Sequence, residues 1–171
     1  MSPVTRELVG LERLAGRVER LLELSEARLG ARDESRSGWS PAEHLFHLAF
    51  ANEMSLKNAA SLVARKGKLI RQRVPLVPEA ADILLRGRLP RGAEAPRFVR
   101  PPPAIDFDFL REIAAGVRES LARLAQDPAA LEAAPDGIPH QALGVLSASQ
   151  WVRFARMHSA HHLRIVRALL Q

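Results

Sequence analysis

Apolar residues recur along this chain at intervals of three and four, the signature of helices buried along one face. From Thr5 to Leu29 that spacing aligns Leu8, Leu11, Leu14 or Ala15, Val18, Leu21 or Leu22 and Leu29, with glutamate and arginine opposite, and predicts a long first helix. The polar run from Gly30 to Gly38 breaks the pattern and reads as a connector. Ser40-Pro41-Ala42-Glu43 then reads as a helix start: a capping serine, a proline where no N–H is needed, and a glutamate completing a capping box. The second helix runs to about Lys66 on a stripe of Leu45, Leu48, Ala49, Leu56, Ala59, Leu62 and Val63, and Gly67 ends it.

Gly67 to Pro103 is proline-dense, which leaves room only for a short helix around Glu79 to Leu85. We read it as a crossover over part of a bundle, anchored by Leu76, Ile83, Leu84, Phe98 and Val99. Asp106 caps a third helix, about Phe107 to Gln126, whose stripe is Phe109 or Leu110, Ile113, Val117, Leu121 and Leu124. Ala129 to Leu146 reads as mostly irregular. Ser147-Ala148-Ser149-Gln150 repeats the capping-box pattern and opens a fourth helix that runs to the C-terminus. With no sustained strand alternation, the expected fold is all-α: one domain over residues 1–171, a four-helix bundle with a long Pro-rich crossover between helices 2 and 3.

The fourth helix departs from an ordinary core pattern. Trp151, Ala155, His158, His162, Ile165 and Leu169 follow one face, so two histidines stand one turn apart in the middle of an apolar stripe. Burying an unpartnered polar group costs roughly 2–7 kcal/mol on the harsher transfer scales, so such rings need partners. The bland answer is a hydrogen-bonded core cluster; the other is a divalent metal, for which the i, i+4 pair has suitable geometry. His47, on the inward-leaning side of the second helix, is the best third ligand by position. His161 points about 60° away from His158 around the axis and forms an i, i+3 alternative with it that is less well centred. His44 and His140 read as peripheral or as supports behind the ligands.

Composition narrows the chemistry. The chain has no cysteine, which excludes disulfides and thiolate metal sites and fits a cytoplasmic protein. The first residues, Met1 to Glu7, lack a signal-peptide core, and no apolar run reaches the roughly 18 residues of a membrane span. A net charge of +6 raises the question of nucleic acid. The arginines are spread along every segment among acids, and no aromatic-interleaved strand accompanies them, so we expect no nucleic-acid partner.

Trp39-Ser40-Pro41-Ala42-Glu43-His44-Leu45-Phe46-His47-Leu48 resembles the start of the second helix in the DinB/YfiT-like family. The run from His140 to Leu146, followed by Trp151 through His158-Ser159-Ala160-His161-His162, is similar to that family's closing helix. The resemblance implies a four-helix bundle with a three-histidine metal site whose ligands are His47, His158 and His162. It also implies kinship with thiol-dependent S-transferases using bacillithiol, mycothiol or glutathione, and with a mycothiol-dependent maleylpyruvate isomerase. Members often carry a glutamine three residues after the last ligand, where this chain has Ile165.

A neutral three-histidine set leaves a coordination position open, as catalytic sites do. Without thiolates the candidate ions are zinc, nickel, iron(II) and manganese. The expected function is a metal-dependent enzyme that activates a thiol or water for S-transfer or hydrolysis on a small-molecule substrate, with a low-molecular-weight thiol as co-substrate. The alternative is a non-catalytic bundle that binds a metal or small ligand. A homodimer is compatible with either. Glu43, one turn before His47, is a candidate proton-handling group, although its capping-box position favours a structural role.

Overall fold

The computed structural model describes residues 1–89 and 95–171; Pro90, part of the expected crossover, lies outside them. The chain folds as expected, all-α, on four long helices: α1 (Pro3–Leu21), α3 (Pro41–Ala64), α5 (Phe107–Leu124) and α7 (Ala148–Leu169). Between them stand the short helices α2 (Glu26–Gly30), α4 (Pro78–Arg86) and α6 (Pro128–Ala133), a 3-10 turn at Arg97–Val99, and a hairpin of β1 (Ile138–His140) and β2 (Gly144–Leu146). α3 and α7 share the most extensive interface, α1 lies against α7, and α5 closes the bundle on α3 and α1.

The start signals act as the sequence implies. Ser40 accepts a hydrogen bond from the Glu43 N–H, and the Glu43 carboxylate accepts the Ser40 N–H at 2.8 Å. Ser147 and Gln150 form the same reciprocal pair at α7. Each pair satisfies two of the amides that a helix N-terminus leaves without intrahelical partners.

Three expectations are corrected. The first helix does not continue to Leu29: it ends at Leu21, and Ser25 caps a separate turn, α2, by accepting from the Arg28 N–H. A local cap outweighs the uninterrupted stripe there, and Leu29 still reaches the core from the new helix. The segment expected to be mostly irregular after α5 contains α6 and the antiparallel hairpin, with Ile138 opposite Leu146 and His140 opposite Gly144. Three-residue strands are too short to show alternation. Gly144 adopts φ +81°, the left-handed region where a side chain is disfavoured, and the His140 Nδ1 accepts both the Ala142 and Leu143 N–H across the turn. In the crossover, Leu84 and Val99 are buried and Leu76 and Ile83 packed as expected, but Phe98 is 60% exposed and anchors nothing.

The apolar core falls into two clusters along the bundle. One gathers the first half of α1, the last half of α3, the first half of α7 and the hairpin; the other gathers Val18, Leu45, Leu48, Leu110, Leu163 and their neighbours. On both central helices polar residues separate the clusters. Asn52 of α3 donates to the Ser159 Oγ of α7 at 2.9 Å, and Ser159 donates to the Ala155 carbonyl. Once buried, such a pair fixes the register of two helices, because sliding either one strands both groups at a cost of about 1–3 kcal/mol each. That register is what brings His47 and His158 level.

Candidate metal centre

Two helices and the hairpin bring all six histidines to one cleft of about 630 Å³. α3 supplies His44 and His47, α7 supplies His158, His161 and His162, and β1 supplies His140. Three of the rings form a nearly equilateral triangle. Their centroids stand 4.8 Å apart for His47 and His158, 4.6 Å for His47 and His162, and 4.5 Å for His158 and His162. Each of the three offers one nitrogen within 4.8 Å of the others, and all three rings are buried.

The hydrogen-bond pattern fixes part of the proton inventory. The His47 Nδ1 lies 2.8 Å from the Val99 carbonyl, which can only accept, so Nδ1 carries the proton and Nε2 presents a lone pair. That Nε2 is 3.0 Å from the Nε2 of His158. Two bare nitrogens at this separation repel unless a proton or a cation lies between them. A proton on the His158 Nε2 would leave its Nδ1 bare, and that Nδ1 is buried with no partner among the described residues. Two nitrogens bound to one ion at about 2.0–2.1 Å stand roughly 2.8–3.4 Å apart for angles from a right angle to a tetrahedral one. The observed pair, at 3.0 Å, falls inside that window, so these residues fit a divalent ion.

The electrostatics point the same way. Burial is the main reason that His47, His158 and His162 all lie below the ordinary histidine value, and mutual repulsion of the rings reinforces it for His158 and His162. All three are neutral at pH 7, the form that binds metal. Trp39 stands over the cluster, 5.1 Å from the His47 ring, and Phe154 stacks on His158 at 5.3 Å. Leu143 and Ile165 extend the apolar wall, and among the described residues lining the cleft none is acidic.

A family model, that of the DinB superfamily, matches residues 11–166. The chain belongs to the DinB superfamily. No curated protein and no solved structure matches it. The match takes in α3 whole and α7 as far as Val166, and so includes His47, His158 and His162.

Of the histidines weighed from the sequence, the structure brings His47, His158 and His162 together; His161 sits beside them, its ring 5.1 Å from that of His162. The sequence left two places open to His44 and His140, at the periphery or behind the ligands, and the structure puts His44 behind His162. His44 is buried, with its Nδ1 3.0 Å from the Nδ1 of His162, and burial together with the neighbouring His47 pushes it down to about 4. α3 is covered on several sides near its start, where Pro41 to Ala49 are all buried. His140 packs its ring 4.4 Å from Phe154, and burial likewise pushes it down to about 4.

Glu43 is fully engaged. One carboxylate oxygen accepts the Ser40 N–H and the other accepts from Arg32 at 2.7 Å. Two contributors escaped the sequence reading, the Val99 carbonyl and the Ser37 hydroxyl, which is 2.8 Å from the His44 Nε2. A backbone acceptor has no sequence signal, and Ser37 lies in the polar connector.

Proposed function

We propose that His47, His158 and His162 hold a divalent metal ion that opens onto the cleft, and that the protein is a metal-dependent enzyme acting on a small molecule. The observation that supports this most is the convergence of three buried, neutral imidazoles on one point at the base of an open cleft. Such an ion, when bound, acts as a Lewis acid that shifts a thiol or water toward its nucleophilic anion near neutral pH.

The chain's own residues do the rest. His47, held by the Val99 carbonyl, offers a fixed lone pair. Trp39, Leu143, Phe154 and Ile165 wall the cleft with apolar surface, which excludes water and suits the hydrocarbon or aromatic part of a substrate. Glu43 holds the start of α3 and does not handle protons. The absence of cysteine means that a thiol nucleophile must come from outside, so the reading assigns a low-molecular-weight thiol as co-substrate for S-transfer, with water as the nucleophile in the hydrolytic version.

The test is elemental analysis of protein purified without chelator, for wild type and for His47→Ala and His158→Ala, followed by thiol consumption with a panel of electrophiles. One ion per chain in wild type, lost in both variants together with turnover, is the expected result. A metal-free wild type overturns the metal assignment. Stoichiometric metal with no turnover across thiols and electrophiles returns the protein to the binding-module reading.

A further inference from the structure

The triangle has unequal supports. His47 is oriented by a carbonyl, and the His158 Nδ1 has no partner among the described residues. His162 is met by another histidine, His44, whose far nitrogen meets the Ser37 hydroxyl. We propose that His44, anchored by Ser37, is the positioning residue for His162: it holds His162 as the Nδ1–H tautomer and so turns the Nε2 lone pair toward the point where His47 and His158 converge. The inference rests on the metal assignment above for the direction of its protons, while the contacts among His162, His44 and Ser37 stand without it.

The direction of the chain follows from counting protons. The Nδ1 atoms of His162 and His44 are 3.0 Å apart, so one must carry the shared proton. If His44 donated, the proton on neutral His162 would lie on Nε2 and point into the cluster, and no lone pair of His162 would face the point where His47 and His158 converge. If His162 donates, His44 must carry its own proton on Nε2, and the 2.8 Å contact to the Ser37 Oγ receives it. Ser37 is suited to accept. Its oxygen also takes the Trp39 N–H at 3.2 Å, and its hydroxyl proton remains free for solvent, since the residue is half-exposed. Every proton then points outward along His162, His44 and Ser37, and every lone pair points inward.

The alternative role, an inert core histidine, does not need both of these contacts. A filler at the start of α3 could be leucine, as at Leu45 and Leu48, without the cost of burying two ring nitrogens. Metal-ligating histidines generally donate their second N–H to an acceptor, and losing that acceptor weakens metal binding 10–100-fold. A neutral imidazole is an unusual acceptor in that role, because it supplies orientation without adding negative charge to the site.

The experiment uses the full chain with Ser37→Ala, His44→Leu and His44→Gln. Two quantities are read near pH 7: Zn²⁺ affinity by competition with a chromogenic chelator, and the ring tautomer of His162 by long-range ¹H–¹⁵N correlation in chelated protein. Wild type is expected to show His162 protonated on Nδ1. His44→Leu should lose roughly 10–100-fold in Zn²⁺ affinity and show a tautomer mixture. His44→Gln, whose amide oxygen can accept, should recover most of both. Ser37→Ala, a change in a half-exposed connector that leaves the bundle core untouched, should shift both in the direction of His44→Leu. Wild-type His162 protonated on Nε2, or Zn²⁺ affinity and tautomer unmoved in both His44→Leu and Ser37→Ala, overturns the inference. A wild type that binds no Zn²⁺ while its His162 tautomer still answers to His44 refutes the metal assignment and leaves the positioning role standing.

Discussion

His158→Leu separates what the cluster costs the fold from what it offers an ion. His158 is 7% exposed, its Nδ1 is buried without a partner, and its Nε2 contacts only the Nε2 of His47. An unsatisfied buried nitrogen costs about 1–3 kcal/mol, and one ordinary hydrogen bond returns about 0.5–1.5 kcal/mol. Leucine removes the first term and the second together. It also adds apolar contact with Phe154, while the His47 Nε2 that loses its partner faces a cleft where water can replace it. In chelator, therefore, the variant should lie between about 0.5 kcal/mol less stable and about 2.5 kcal/mol more stable than wild type.

With zinc present the order should invert. At a free concentration 1,000-fold above Kd, binding stabilises the native state by about 4.1 kcal/mol. In a domain of this size that is worth about 8–16 °C of Tm, at roughly 2–4 °C per kcal/mol. The variant, left with two rings, should gain little of it. Urea melts of both proteins in chelator and in buffered zinc give the four values required. A variant destabilised by more than about 2 kcal/mol in chelator would refute the claim that His158 is strained without an ion, because the ring would then be an ordinary satisfied core group. Equal zinc shifts in both proteins would remove His158 from the metal site.

Acid should destabilise the chelated protein over a defined window. Burial holds His44 and His140 down at about 4, so between roughly pH 6.5 and 4 the unfolded chain binds protons that the folded chain does not. Their contribution is therefore intact above pH 6.5 and is lost as pH falls toward 4, at about 1–3 kcal/mol for each ring. Urea midpoints across that range should show the slope, and His140→Asn, whose side-chain oxygen can still accept across the hairpin turn, should flatten it. On the proposed activity, Glu43→Gln should keep thiol-transfer turnover within about threefold of wild type, since glutamine caps equally well at that position and what is lost is the ion pair of the buried carboxylate to the half-exposed Arg32. A loss of a hundredfold with metal content unchanged would reinstate Glu43 as a proton-handling group. Gly137→Ala should lower stability by about 1–3 kcal/mol in thermal melts, because a Cβ there would lie 2.5 Å from the Val145 Cγ1 and 2.9 Å from the Leu146 carbonyl oxygen, and the backbone of β2 cannot yield cheaply.

The residues that were legible in the sequence are those whose role follows from their own helix. The capping serines, the proline after Ser40 and the stripes of α1, α3, α5 and α7 each declare themselves within a few positions, and the core is built from them. His158 and His162 were visible for the same reason, as polar residues at apolar positions of one helix. What stayed hidden lies between elements. His44 could be placed only as peripheral or behind the ligands, because a helical wheel assigns one buried face, whereas the start of α3 is enclosed by Trp39, the connector and α7 at once. Val99 counted as an anchor through its side chain, which is indeed buried, but its carbonyl is what reaches His47, across a crossover that periodicity cannot place. The Ser37 hydroxyl and the Val99 carbonyl come from the connector and the crossover, and both end on ring nitrogens that a helix has already aimed. The helices thus decide where the imidazoles meet, and the loops decide which nitrogen of each is left bare. Metal affinity, on the proposed assignment, should accordingly respond to changes in Ser37 and the Val99 turn that leave the stability of the bundle almost untouched.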